Sequence, residues 1–122
     1  MWINYLKVYK FFQIIPPFKG KMRLSRFFFG KYSKEKTFSV PCGLSFVVPN
    51  LIENVSFELF VNGLYEESSL KLIIENLPPN GIFVDVGANI GAISVVLAKL
   101  RPDITIYAFE ASPSVFKYLE IN

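Results

Sequence analysis

Four residues between positions 85 and 110 have the types and spacing that ligand chemistry requires: Asp85, Gly87, Gly91 and Glu110. The run Phe83-Val84-Asp85-Val86-Gly87-Ala88-Asn89-Ile90-Gly91 sets an acid at the end of an apolar segment and two glycines in the turn after it. Glu110 closes a second apolar segment, 19 positions after Gly91. Glycines allow close backbone approach to a ligand, and an acid about 20 residues further on suits a ribose diol. Gly87 lets the chain leave its strand in a conformation that a β-carbon penalises, and Asn89 tolerates left-handed backbone. Gly91 permits close packing at a helix start, whose unpaired N–H groups suit an anionic group. Taken singly, each feature has a plainer reading: a tight connection, a helix-cap partner for Asp85, a solvated strand end for Glu110. Their order and spacing together favour binding.

The elements that must position these residues follow from periodicity and turn chemistry. Residues 82–86 read as a strand, 90–100 as the helix returning over it, and 104–109 as a second, parallel strand. Ser112 then suits an N-cap with Pro113 at the first helical position. Upstream, Leu70, Ile73, Ile74 and Leu77 follow the i, i+3, i+4, i+7 template of a helix that starts at Glu67 or Ser68 and ends at Asn76. The Pro78-Pro79-Asn80-Gly81 run is a turn. Residues 2–15 read as a helix stopped by Pro16-Pro17. Residues 25–32 fit either element type, and 44–48 fit a short strand. Residues 54–61 could be either element type, with the alternation of Val55, Phe57 and Leu59 arguing for a strand and Gly63 making a break. The fold class is therefore α/β, built on one strand–helix–strand unit. Two parallel strands with one crossover helix do not cover both faces of a sheet. The expectation is an incomplete fold, the N-terminal part of a longer protein or a truncated product. The alternative is a complete small domain whose sheet takes strands from residues 37–61.

Charge divides the chain near Val40. Residues 1–40 hold nine Lys/Arg, eleven aromatic residues and one acid, Glu35, whereas residues 41–122 hold four basic residues and nine acids. The isoelectric point of about 9.0 thus describes the first segment. Its aromatics and cations suit an extension packed on the core, with an anionic membrane surface as the sharper alternative and nucleic acid as the lesser one. Apolar residues make up 52% of the chain, which buried parallel strands help to explain. No run reaches the 18 or so apolar residues of a membrane span. Residues 1–15 are interrupted by Asn4, Lys7, Lys10 and Gln13 and lack a small-residue cleavage site, which argues against a signal peptide. A cytoplasmic protein with optional peripheral membrane contact is expected. Cys42 is the single cysteine and the chain has no histidine, so a Cys–His nucleophile is excluded and a buried structural thiol is expected. The pattern calls for no metal.

The ligand class narrows further. A phosphate-binding P-loop ends in Gly-Lys-Ser/Thr, but Gly91 is followed by Ala92-Ile93. A dinucleotide site prefers G-x-G-x-x-G, and the middle glycine is missing here. Asp85 also sits badly beside a pyrophosphate, yet it suits a ligand that carries an ammonium and a sulfonium.

With Phe83–Gly91 and the later run Ala108-Phe109-Glu110-Ala111-Ser112-Pro113-Ser114-Val115-Phe116-Lys117-Tyr118-Leu119-Glu120-Ile121-Asn122, the chain resembles the FkbM family of S-adenosylmethionine-dependent methyltransferases. Gly63-Leu64-Tyr65-Glu66 and the segment 44–49 resemble that family's lead-in, so the likeness covers about residues 43–122. It implies a Rossmann-like methyltransferase fold, of which residues 41–122 are the N-terminal part and residues 1–40 a basic, aromatic extension. It implies S-adenosylmethionine as cofactor. Backbone at Gly87, Ala88 and Asn89 lines the methionine part, with Gly91 ending the motif. Asp85 faces the methionine ammonium, Glu110 holds the ribose hydroxyls, Ala111 lies against adenine, and Glu66 closes over the methionine end. Family members often carry proline after the ribose-binding acid, so Ala111 departs from the pattern. The implied reaction is methyl transfer from the sulfonium to a hydroxyl of a small molecule or glycan. No catalytic residue is assigned, and the 122 residues alone are expected to be inactive. The competing readings are an NAD-binding oxidoreductase fragment and a non-catalytic, membrane-associated binding module.

Overall fold

The computed structural model describes residues 5–122, with side chains from Val8 onward. The start of the helix expected over residues 2–15, Trp2 included, lies outside the described residues. The order of elements is α1 (Tyr5–Ile14), α2 (Lys21–Phe29), β1 (Lys36–Ser39), β2 (Ser45–Val48), α3 (Asn54–Asn62), α4 (Glu67–Asn76), β3 (Ile82–Val86), α5 (Ser94–Leu100), β4 (Thr105–Phe109) and α6 (Pro113–Ile121). The chain is mixed α/β, with two small sheets and six helices among the described residues. It divides into two compact units, Met1–Gly63 and Leu64–Asn122.

In the first unit the aromatic residues of the basic segment converge on Phe60 of α3. Tyr9 of α1 stacks on Phe60 at 4.9 Å between ring centroids, and Phe29 of α2 and Phe38 of β1 meet it edge-on at 5.2 and 5.1 Å. These arrangements suit the ring quadrupoles, which disfavour a face-to-face sandwich. Gln13 holds α1 in place by donating its side-chain amide to the carbonyls of Ser39 and Phe60. Strands β1 and β2 pair antiparallel with Phe38 opposite Phe46, and both rings are buried. The change of charge near Val40 falls at the turn of this hairpin. Cys42 sits in the same turn and is only half-buried, not the core thiol expected. A tight hairpin connection has too few neighbours to enclose a side chain.

Residues 54–62 form helix α3, not the strand that the alternation of Val55, Phe57 and Leu59 suggested. The deciding pattern is Phe57, Phe60 and Val61, spaced i, i+3, i+4 and all buried. Asn50 prepares the entry, since its Oδ1 accepts the N–H groups of Ile52 and Glu53. Gly63 ends the helix at φ 76° and donates its N–H to Leu59 O. A β-carbon there would lie 2.5 Å from Pro41 Cδ, so glycine is required twice over.

The second unit contains the expected strand–helix–strand path. Strands β3 and β4 are parallel, with Asp85 opposite Ala108 and Val86 opposite Phe109. They form their own sheet; the strands of residues 36–48 pair only with each other. Helix α4 follows its predicted bounds. Arg101, at the end of α5, donates to the carbonyls of Ile74, Leu77 and Pro78 and to both oxygens of Asp103, tying the turn before β3 to the loop before β4. Those bonds hold the Asp103 carboxyl well below the usual carboxylate range.

One face of this sheet, carrying Phe83, Asp85, Ile106 and Ala108, is half-buried. The other is open: Val84 is 54%, Val86 82%, Tyr107 51% and Phe109 55% exposed. The expectation of strands apolar because they are buried on both sides is therefore corrected. Their outward residues are apolar and exposed.

Candidate functional site

The site lies at the carboxyl ends of β3 and β4, the place where open α/β sheets take ligands. The connection after β3 turns through three left-handed positions: Gly87 at φ 84°, Asn89 at φ 53° and Gly91 at φ 83°. These conformations forbid helix, so α5 begins at Ser94 and not at residue 90 as expected. Every N–H from residue 87 to 91 already has an acceptor within the chain. Gly87 and Ala88 both donate to Phe109 O, at 2.8 and 2.9 Å, and Gly91 donates to Ala88 O at 2.8 Å. Asn89 donates to Glu110 Oε2 at 3.0 Å, and Ile90 to Asn89 Oδ1 at 2.8 Å. The N–H groups of residues 87–91 are thus committed to folding the loop.

Glu110 is the clasp of this arrangement. Its Oε2 accepts from Asn89 and its Oε1 accepts from Ser112 N–H at 2.8 Å. One carboxylate therefore joins the glycine turn to the start of α6. Ser112 occupies the predicted N-cap, with Pro113 following, but its hydroxyl pairs with Ser114 Oγ and does not cap the helix. Each carboxylate oxygen has two lone-pair sites, so two acceptor positions remain on Glu110.

A cleft of about 500 Å³ opens beside this clasp, lined by Val86, Gly87, Ala108, Phe109, Glu110, Ala111 and Phe116. That volume falls in the usual range of small-molecule sites, and its walls are mainly apolar. Gly87, Glu110 and Ala111 of the predicted set meet here. A β-carbon on Gly87 would meet no atom within 4 Å, whereas one on Gly91 would lie 2.8 Å from Val95 Cγ2 and 3.0 Å from Leu119 Cδ1. The first glycine borders open space and the second serves the packing of α5 and α6.

The other predicted residues lie apart from the cleft wall. Ala88 is buried beneath the turn. Asp85 points to the α5 side of the sheet, where Ser94 Oγ donates to its Oδ2 at 2.5 Å. Glu66 is exposed at the N-cap of α4, at φ 46°. Sequence reasoning missed Phe109 and Phe116 as cleft walls, and Ser94 as the partner of Asp85. The phenylalanines flank Glu110 and Pro113 in sequence, a signal that was available. The Asp85–Ser94 contact depends on where α5 begins and had no local signal.

Part of the chain is similar to two known proteins. It is 37% identical over 65 residues to the methyltransferase sdnD of Sordaria araneosa, which covers 53% of this chain and 22% of the relative. It is 36% identical over 73 residues to the AMB antimetabolite synthetase AmbE of Pseudomonas aeruginosa, which covers 60% of this chain and 3% of that protein. The chain therefore spans at most about a fifth of the length of these relatives. No family model matches it, and no solved structure does.

Proposed function

We propose that Leu64–Asn122 is the cofactor-binding portion of an S-adenosylmethionine-dependent methyltransferase with a Rossmann-like, FkbM-type fold. The observation that carries this reading is the Glu110 clasp on the cleft wall. A carboxylate fixed by two backbone N–H groups keeps two acceptor positions, which suits a pair of vicinal ribose hydroxyls. Phe109, Ala111 and Phe116 offer the apolar surface that an adenine ring needs. The similarity to a named methyltransferase supports the same class.

The committed N–H groups of residues 87–91 favour this cofactor over NAD. A pyrophosphate is normally cradled by free backbone N–H groups at such a turn, and here they are spent on Phe109, Glu110, Asn89 and Ala88. S-adenosylmethionine carries no phosphate and makes no such demand. Asp85, on the adjoining strand end, is assigned to face the methionine ammonium, with Ser94 orienting its carboxylate, and Glu66, exposed at the start of α4, is assigned as a second acid for the methionine end. When bound, the cofactor supplies an electrophilic methyl group. This chain's own contribution is to bind and orient the nucleoside. The acceptor, a hydroxyl of a small molecule or glycan, and the group that takes its proton are assigned to no residue here, and the isolated chain is not expected to turn over.

Calorimetric titration of the chain with S-adenosylhomocysteine and with NADH tests the reading. Binding of S-adenosylhomocysteine alone supports it. Binding of NADH alone would replace it with the oxidoreductase alternative.

A further inference from the structure

Helix α2 is inverted with respect to its surroundings. Its inward line, spaced i, i+4, i+8, is Lys21, Ser25 and Phe29, all buried. Lys21 is held there by donating its ammonium to Ile15 O at 3.0 Å, and burial pushes its pKa down. The outward line is the apolar one: Leu24, Phe27 and Phe28, spaced i, i+3, i+4, are 46%, 82% and 54% exposed. A helix of a water-soluble unit normally turns such a stripe to the core, and the polar pair Lys21 and Ser25 has taken that place.

Cations flank the exposed stripe. Arg23 is exposed one turn before Phe27. Lys31, also exposed, shares a cavity of about 400 Å³ with Phe28 and Tyr32. The chain has no acid before Glu35. Arg26, by contrast, is turned inward: its guanidinium donates to Asn54 Oδ1 and lies 4.4 Å from the centre of the Phe57 ring. The cations beside the stripe are thus distinct from Lys21 and Arg26, which the fold uses.

We infer that the outer face of α2 docks on an anionic lipid bilayer, with Leu24, Phe27 and Phe28 entering the headgroup–acyl boundary and Arg23 and Lys31 meeting lipid phosphates and carboxylates. An apolar stripe with flanking cations is the arrangement that lies in a membrane interface, and each juxtamembrane cation strengthens binding to anionic lipid roughly fivefold. No described helix is long and apolar enough to cross a membrane, so the contact is a surface one. It is independent of the cofactor reading, which concerns the other unit.

Co-sedimentation of the full chain with phosphatidylcholine vesicles, with and without phosphatidylserine, tests the proposal. Binding is expected only with phosphatidylserine present. It should fall roughly 10-fold or more both in Arg23→Gln/Lys31→Gln and in Phe27→Ser/Phe28→Ser, while circular dichroism shows the fold retained. Phe27→Ser alone, at the most exposed of these positions, serves if the double variant unfolds. Equal binding to neutral vesicles, or full binding by the phenylalanine variants, would overturn the proposal. So would a chain that ignores vesicles but binds DNA, or one that dimerises through Phe27 and Phe28.

Discussion

The two units use their apolar residues in opposite ways. In Met1–Gly63, rings from α1, α2 and β1 close around Phe60, which is 1% exposed. In Leu64–Asn122, a two-stranded sheet keeps an open face of Val84, Val86, Tyr107 and Phe109. Its polar side chains are spent on shaping a loop: Glu110 clasps Asn89 and Ser112, and Ser94 clasps Asp85. The first unit is organised around packing. The second is organised around the carboxyl ends of two strands, where a cleft lies. Residues that shape a loop need not build a closed core.

Substitutions that hit each organising principle separately sharpen this contrast. Phe60→Ala removes the ring on which three other aromatics rest. It should destabilise the first unit by about 3–5 kcal/mol, measured by denaturant unfolding. A cost near 1 kcal/mol would mean that the aromatic cluster is not the organising core.

In the second unit the two loop glycines should differ. Gly91→Ala combines left-handed strain with a β-carbon pressed on Val95 and Leu119, and should cost about 2–4 kcal/mol. Gly87→Ala meets only the strain, about 1–2 kcal/mol, because the space beside it is open. Equal costs would show that Gly87 is as enclosed as Gly91 and does not border a cleft.

A smaller effect is expected at the Arg101–Asp103 pair. The Asp103 carboxyl titrates lower in the folded chain than in the unfolded one. The unfolded state therefore binds the extra proton as pH falls, and the pair's contribution is complete above about pH 4 and lost below it. Thermal melts between neutral and acid pH should show a shallower fall for Arg101→Ala than for the unaltered chain. Parallel curves would exclude the pair as a source of acid sensitivity.

The same contrast explains what could be read from the sequence. Strands β3 and β4, helix α4 and the Ser112-Pro113 start of α6 were legible, because each rests on local periodicity, glycines or a proline. The strand-end places of Asp85 and Glu110 were legible in the same way. The first unit was harder. The alternation at Val55, Phe57 and Leu59 concealed a helix whose buried face is set by Tyr9, Phe29 and Phe38, partners distant in sequence. The late start of α5 escaped because the left-handed turn at Asn89 is tied to Glu110, 21 residues away in sequence. The open face of the β3–β4 sheet was invisible for a related reason: apolar composition does not say which side is covered.

The central claim is that Glu110 presents a fixed carboxylate to a ribose. It is tested most directly by titrating S-adenosylhomocysteine into the chain and into Glu110→Ala, with thermal unfolding followed in parallel. Loss of hydrogen bonds to a charged group predicts affinity lower by roughly 10- to 100-fold in the variant, in molecules that remain folded. Equal affinity in a folded Glu110→Ala chain, or no binding to the unaltered chain, would contradict the account.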